Sequence, residues 1–506
     1  MTVPFTFATS TSPIPLANLD ANFAAVGNAT GVTYTAPFTG GVAETLSAKL
    51  AQYVSVKDFG AVGDNITDDT AAIQAALTET SGTVYLPAGD YKITSPLTFS
   101  QSVQLAGSGP ESVIHAYDCD VLYFSSSNLI SPRKIGNFDI YGHSTGGEYT
   151  AIKIDLDSSS GPRVTGLLFE NICLFFFNTG VYSRGAWDTT YRKVVMNHVY
   201  KGYQLIDQNI KTLITDCRIN QSGMAYGTGN TEGIRLDTGV YTHRPEDTWV
   251  VNTIIYGFDN AIIWRNALYG GVTGCDLDAC ASDAITITTA DGGFTFSNNW
   301  VQVDNASTAF KAINFPSLGY TPSPSPISVS NNRVQTSSST ALTYGIYVGT
   351  NQTDINLDNN EISGFTGSGI RLDLSYRTKI TKNQMYGCSL DLFNLSSGSV
   401  SDNYTDTGIT LTSCTGVIFG QNFGANTTYA VASITMPAGQ TTQTVTFASL
   451  GLGNLPTGSG GSVFFTNSGA LSCGAIWGSC TSTSITVNTS IVLGANFGIN
   501  TLVICI

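Results

Sequence analysis

A repeat running from about residue 165 to about 425 constrains the fold more than anything else in the chain. Its unit is an apolar residue, two or three polar or small residues that often include Asn, and another apolar residue. FENICL, VMNHVY, ITDCRI, VVNTII, VTGCDL, FSNNWV, VSNNRV, LDNNEI, ITKNQM and VSDNYT are its instances, and FGQNF closes the series. Marking the fourth position of each gives residues 172, 198, 217, 253, 275, 299, 332, 360, 383, 403 and 422. After most marks comes a second element, a small residue leading into alternating or apolar ones: GYQLI at 202, GIRLD at 233, AIIW at 261, AITI at 284, AINF at 312, GIYV at 345, GIRLD at 369 and GITL at 408.

The period is roughly 20 residues with insertions, and no unit contains a helix. One such unit cannot bury its apolar face alone. Successive units stacked as coils share one continuous core, which is the physics of a parallel β-solenoid. Asn at the recurrent turn fits, because it tolerates the left-handed backbone and its amides can hydrogen-bond from coil to coil. An antiparallel sandwich array is the competing fold. Two-residue Asn-Gly or Asp-Gly hairpin turns are nearly absent from the repeats, which argues against it.

Composition removes several functions. The chain has 506 residues, 22 Lys+Arg against 36 Asp+Glu, a net charge of −14 and only 11% charged residues. An acidic chain lacks the basic face that nucleic acid or an anionic membrane surface requires. No apolar run reaches the ~18 residues of a membrane span. The first residues, MTVPFTFATSTSPIPL, lack the basic and apolar regions of a secretory signal. The 10 Cys are thinly spread and read as buried reduced thiols. With 4 His far apart in sequence, a metal site has little to be built from, so neither metal nor cofactor is expected.

Outside the repeats, residues 1–50 carry no period long enough for a core. A short helix is expected at 43–53 and a second from Asp68-Asp69 through TAAIQAAL, with the acids as caps and Ile73, Ala76 and Leu77 on one face. TVYLPAGDYKI reads as strand, turn, strand. From 427 to 506 charge almost vanishes and period-2 runs such as GSVFFTN and TSITVNTSIVLG predict a separate all-β module.

VSVKDFGAVGDNITDDTAAIQAAL at 54–77 and GTVYLPAGDYKIT at 82–94 resemble the opening segment of the pectate-lyase-like superfamily, in the branch of bacteriophage tailspikes and capsule depolymerases. PIPLANLDANFAAVG at 13–27 is similar to N-terminal segments of phage tail proteins that attach to the virion. The resemblance implies a right-handed, single-stranded parallel β-helix over 51–426. It also implies a virion-attachment segment at 1–50 that docks on a tail or baseplate protein, and a trimerisation module at 427–506. The implied protein is a homotrimer of the virion tail that acts outside the host cell on surface polysaccharide, with no nucleic-acid partner and no membrane insertion. Relatives of this kind include hydrolases, lyases, esterases and non-catalytic members. Asp64, Asp68 and Asp69 read as turn and capping residues. Polygalacturonase-type relatives carry a paired Asp-Asp and a Gly-His-Gly in central coils. Both are missing here, and Asn230-Thr231-Glu232 is an altered form of their Asn-Thr-Asp, so that mechanism is not transferred.

Hydrolysis of a glycosidic bond needs two carboxyls flanking it, and on a solenoid these can come from neighbouring coils about 4.8 Å apart. The longest interval, between marks 217 and 253, is dense in suitable side chains. Glu232 precedes the strand GIRL, and Asp283 takes the equivalent place before AITI two coils later. They are the expected catalytic pair. Asp259 lies one residue out of register in the coil between, and Asp237 and Asp247 are reserves. Asp237 and Arg265 occupy equivalent places after adjacent strands, as a cross-rung ion pair would, and Asp155 and Asp373 share that column. Tyr226, Arg235, Tyr241, His243, Trp249, Arg265 and Trp187 are the expected sugar-binding residues. A polysaccharide lyase and a non-catalytic adhesin remain as alternatives to the hydrolase.

Overall fold

The computed structural model describes residues 32–80, 82–99, 102–125, 133–156, 164–221, 231–239, 243–288, 290–291, 293–304, 310–316, 326–337, 343–412, 415–419 and 422. It also describes six strands between 428 and 505. From Val54 to Phe419 the strands pair in parallel, each with the strand one coil further on. One coil shows the plan. Glu246–Val251 forms a first face, Ile254–Tyr256 a second and Asn260–Trp264 a third, before Ala267–Thr273 starts the next coil.

Register explains the repeat. On the third face, Ile234, Ile262, Ile285, Ile313, Ile346 and Ile370 stack in one inward column, all fully buried. Burying each contributes about 1.5–3 kcal/mol relative to exposure. The small residue just before each is Gly233, Ala261, Ala284, Ala312, Gly345 or Gly369, and neighbouring coils approach closely here. A Cβ at Gly233 would come within 2.5 Å of the Ala261 carbonyl oxygen.

The Asn marks form a buried ladder. Nδ2 of Asn299, Asn332, Asn360, Asn383 and Asn403 donates to Oδ1 of the next mark at 2.8–3.0 Å, ending at Asn422. The same oxygens accept the backbone N–H of the preceding rung's mark. Cys217, Thr253 and Cys275 hold the column in earlier coils. The residue before each mark turns the chain in the left-handed region, as at Asn298, Asn331, Asn359 and Asp402. Thus in each Asn-Asn pair the first makes the corner and the second the ladder. One mark was misplaced: Ile172 pairs with Val194, so Val194 and not His198 continues the column.

Before the coils, Thr33–Thr35 pairs with Ala43–Thr45, and helix Leu46–Leu50 is shorter than the expected 43–53. The second helix runs Thr70–Glu79 and buries Ile73, Ala76 and Leu77 as expected. Asp69 does not cap it. Its buried carboxylate accepts from the N–H groups of Val62 and Gly63, while Asp68 accepts from Thr70 N–H and Asp64 from Ile66 and Thr67. All three acids therefore serve the local fold.

Thr428–Met436, Phe497–Cys505, Gly461–Asn467, Ile476–Cys480, Ser484–Thr489 and Thr442–Thr446 form an antiparallel sheet in that order, in keeping with the period-2 texture of 427–506. Six described cysteines are free thiols, and five of them are buried. Burial pushes Cys119 up to about 11 and Cys275 and Cys388 to about 12, which keeps them protonated and inert. Cys473 lies outside the described residues. Among the described residues no helix is long and apolar enough to cross a membrane, and no group of three His, Cys, Asp or Glu could hold a metal ion.

Candidate functional site

The strand Glu232–Asp237 turns Glu232, Arg235 and Asp237 outward on the third face, because Ile234 and Leu236 fill the core between them. Arg235 bridges the two acids. Its Nη1 donates to Glu232 Oε1 at 2.9 Å and its Nη2 to Asp237 Oδ2 at 2.7 Å. Burial pulls the guanidinium pKa down, but the two carboxylates outweigh it and the net shift is upward. Glu232 Oε2 also accepts from Gln204 Nε2 on the previous coil at 3.3 Å. Asp237 receives Arg265 Nη1 from the following coil at 3.4 Å, which is the cross-rung pair the spacing predicts.

Glu232 pairs with Asn260, and Asp283 stands two residues before Ile285, the partner of Ile262. The register shifts by one residue just before it, where Ser282 N–H donates to the Asp259 carbonyl as Asn260 N–H does to that of Thr231. Asp283 lies two coils on from Glu232, and each acid meets the side chain three residues ahead of it, Arg235 for Glu232 and Thr286 for Asp283. Asp283 Oδ1 accepts from Lys311 N–H at 2.8 Å and Oδ2 from Asn314 Nδ2 at 2.6 Å. Followed through the strand pairings, the Asp237 column includes Asp155 and Asp373.

Asp259 is a different case. It is 2% exposed, and its Oδ2 accepts from both the N–H and the hydroxyl of Thr231 at 3.0 and 2.8 Å. It lies in the turn before Asn260–Trp264, and these bonds to Thr231 on the previous coil hold its side chain inside. It cannot meet a substrate on the face, and its place as a catalytic reserve is withdrawn.

The remaining residues divide by face. Asp247 sits in a left-handed turn on the first face and accepts from Trp249 Nε1 at 3.0 Å. The indole reaches over Gly271 of the next coil. Trp187 stacks in the first-face column with Ile210, Glu246 and Leu268. His243 is exposed on the connection between third and first faces, and the Arg244 side chain holds the Asn266 carbonyl. Tyr226 and Tyr241 lie outside the described residues.

Long intervals in the sequence border two of the third-face strands. The coil of Glu232–Asp237 is flanked by residues 221–231 and 238–245, and that of Phe310–Phe315 by 304–309 and 316–326. The two coils between have short intervals beside their third-face strands, 257–259 and 265–266 in one and 281–284 and 288–289 in the other. Asp283 lies on this stretch and Glu232 at its edge.

Two features escaped the sequence reading. Asp276 and Asp278 both face outward on the second face. Burial and the neighbouring Asp278 charge hold Asp276 above the usual carboxylate range. The signal was available as Asp-x-Asp within a strand, in CDLDAC. Two of the four widely spaced His also meet, with His115 Nδ1 2.9 Å from His143 Nε2 and His115 Nε2 3.0 Å from Asp90 Oδ1. They are distant in sequence but occupy adjacent rungs.

Comparison with known proteins agrees with this architecture. Residues 53–135 match the family described as rhamnogalacturonase A/epimerase, pectate lyase-like. Over 286 residues, 53% of this chain and 45% of the relative, the sequence is 25% identical to the tail spike protein of Shigella phage Sf6. It is 46% identical over 76 residues to the mannuronan C5-epimerase AlgE2 of Azotobacter vinelandii, covering 13% of this chain and 8% of that one. The chain therefore spans less than half the length of these curated relatives. Among solved structures, the tailspike protein of E. coli bacteriophage HK620, a double mutant in complex with a pentasaccharide, superposes with a TM-score of 0.57 at 12% identity. That match covers 96% of this chain and 99% of the other. The chain is a homologue of a phage tail spike protein and has the parallel β-helix fold of tailspikes.

Proposed function

We propose that this chain is a phage tailspike that binds bacterial surface polysaccharide and cleaves it by glycosidic hydrolysis on the third face. The observation that carries the reading is the homology to a tail spike protein over 286 residues, joined to the match with a tailspike that holds a pentasaccharide. Glu232 and Asp283 are the proposed carboxyls. Two rungs separate their backbones by about 9.6 Å. Glu232 leans to the previous coil through Gln204 and Asp283 to the following coil through Asn314. Cleavage therefore requires both to swing toward a sugar bound between them, into the range of about 6.5–9.5 Å that inverting hydrolysis uses. One carboxyl gives its proton to the glycosidic oxygen as the bond to the anomeric carbon breaks. The other takes a proton from the water that attacks that carbon from the opposite side. Arg235 and Arg265 keep the second column acid, Asp237, occupied, and Arg235 offers donors to sugar hydroxyls. Residues 1–50 attach to the tail, and 427–506 join three chains.

The test is reducing-end release from a panel of capsule and O-antigen polysaccharides. Glu232→Gln and Asp283→Asn should each lower the rate about 10²–10⁴-fold with unchanged sedimentation and circular dichroism. A Glu232→Gln protein that cleaves at the wild-type rate refutes the assignment. An alginate lyase of Azotobacter vinelandii, 43% identical over 76 residues, favours a lyase as a second reading. Its products would carry an unsaturated, ultraviolet-absorbing uronate that hydrolysis does not form. Tight glycan binding with no new ends would mean an adhesin.

A further inference from the structure

Away from the third face, the corner between first and second faces carries a groove that the hydrolysis site does not use. Trp300, Arg333, Glu361, Gln384 and Tyr404 stack in one outward column, each one residue after a ladder Asn. The left-handed corner residues Asn331, Asn359, Lys382 and Asp402 form the opposite lip. Between them lie two adjoining open depressions of about 210 and 360 Å³ that share Asn359 and Gln384 and run from Arg333 to Tyr404, the shallow form that suits an extended chain of sugar rings.

We infer that this groove is a second, non-catalytic saccharide site that takes a neutral oligosaccharide. The inference rests on the polysaccharide reading above. A sugar ring presents an apolar C–H face beside hydroxyls, so its site needs open aromatic faces next to planar hydrogen-bonding groups. Trp300 is 44% exposed, with the Arg333 guanidinium 5.1 Å from its ring. Tyr386 and Tyr404 stand 5.6 Å apart at 46°, so they do not stack shut, and the Tyr386 hydroxyl orients Gln384 through a 2.7 Å bond to its Oε1. Charge selects the ligand class. Arg333 and Lys382 are balanced by Glu361 and Asp402, and the one ion pair among them, Arg333–Glu361, is loose at 3.5 Å. A balanced groove does not attract a polyanion, which excludes nucleic acid and polyuronates. Charge at its centre also sets it apart from the core of a subunit interface. Four rungs from Trp300 to Tyr404 span about 19 Å, room for several sugar rings in line.

The experiment uses the full chain bearing Glu232→Gln, so that glycans are held and not cut, on an array of neutral and acidic oligosaccharides from bacterial capsules and O-antigens. A neutral oligosaccharide should bind, and adding Tyr386→Ala with Tyr404→Ala should weaken it at least tenfold; Trp300→Ala alone should weaken it less. These rings are partly exposed, and sedimentation and circular dichroism check that the fold survives. If wild type cleaves a glycan but the ring variants bind it unchanged, or if acidic glycans bind best, the groove is refuted and the cleavage reading stands. Dissociation of the assembly on ring removal would identify the face as a contact between copies and overturn the site. If no form binds or cuts any glycan, both readings fall.

Discussion

At the scale of the residue, orientation decides between chemistry and structure. Asp259 and Asp283 look alike in sequence, each just before an apolar strand, yet one is interior and the other faces out. Asp259→Ala would leave the Thr231 N–H and hydroxyl without their buried acceptor, at a cost of about 1–3 kcal/mol. The denaturation midpoint should fall while cleavage per folded molecule stays unchanged. Asp276 gives a pH-dependent case. Its raised pKa means that the folded state holds the proton more tightly than the unfolded one. Its contribution is therefore favourable at low pH and is lost as pH rises through the raised value. Asp276→Asn should melt higher than wild type at pH 7, and the gap should close at pH 3. A constant gap across that range would show that the carboxyl charge is not the cause.

At the scale of the element, the Asn ladder is the feature whose loss is most legible. Asn383 Nδ2 donates to Leu357 O, Thr381 O and Asn403 Oδ1, and its Oδ1 accepts from the N–H and side chain of Asn360. All of this is buried, so unmatched groups carry their full desolvation penalty. Asn383→Ala should cost about 3 kcal/mol or more. Asn383→Asp keeps the shape but replaces a donor with an oxygen that faces other acceptors, so at pH 7 it should be at least as damaging. Thermal melts of the two variants, compared at pH 7 and pH 3, check this, since protonation of the Asp restores one donor. The corner residues explain why the repeat tolerates irregular intervals. Each coil needs one left-handed corner and one ladder group in register, while insertions enter at the connections beyond the strands.

At the scale of the whole molecule, a parallel solenoid has two ends to cover. The helix Thr70–Glu79 packs on the first coils, with Ile73, Ala76 and Leu77 in the common core. The antiparallel sheet of 428–505 follows the last coil in sequence, and we assign it the joining of three chains. Removal of residues 427–506 should then reduce the sedimenting species from three chains to one. A truncated protein that remains a fully stable trimer would refute that role.

Much of the architecture was legible because it is periodic. An apolar column, a small-residue column and an Asn column each leave one residue per coil, and coil stacking is the arrangement that buries all three. The Asp237–Arg265 pair followed from counting residues within equivalent strands. The same count went wrong at His198, where long strands on both sides hide the corner. Only the tertiary structure could turn Asp259 inward or join His115 to His143. It alone assembled the Trp300–Tyr404 groove from residues spread over five coils. Local spacing reports the face a residue occupies within its own coil. Contact across coils depends on the lengths of the intervening connections, which vary without a period, so neighbours in space are set only when the coils close.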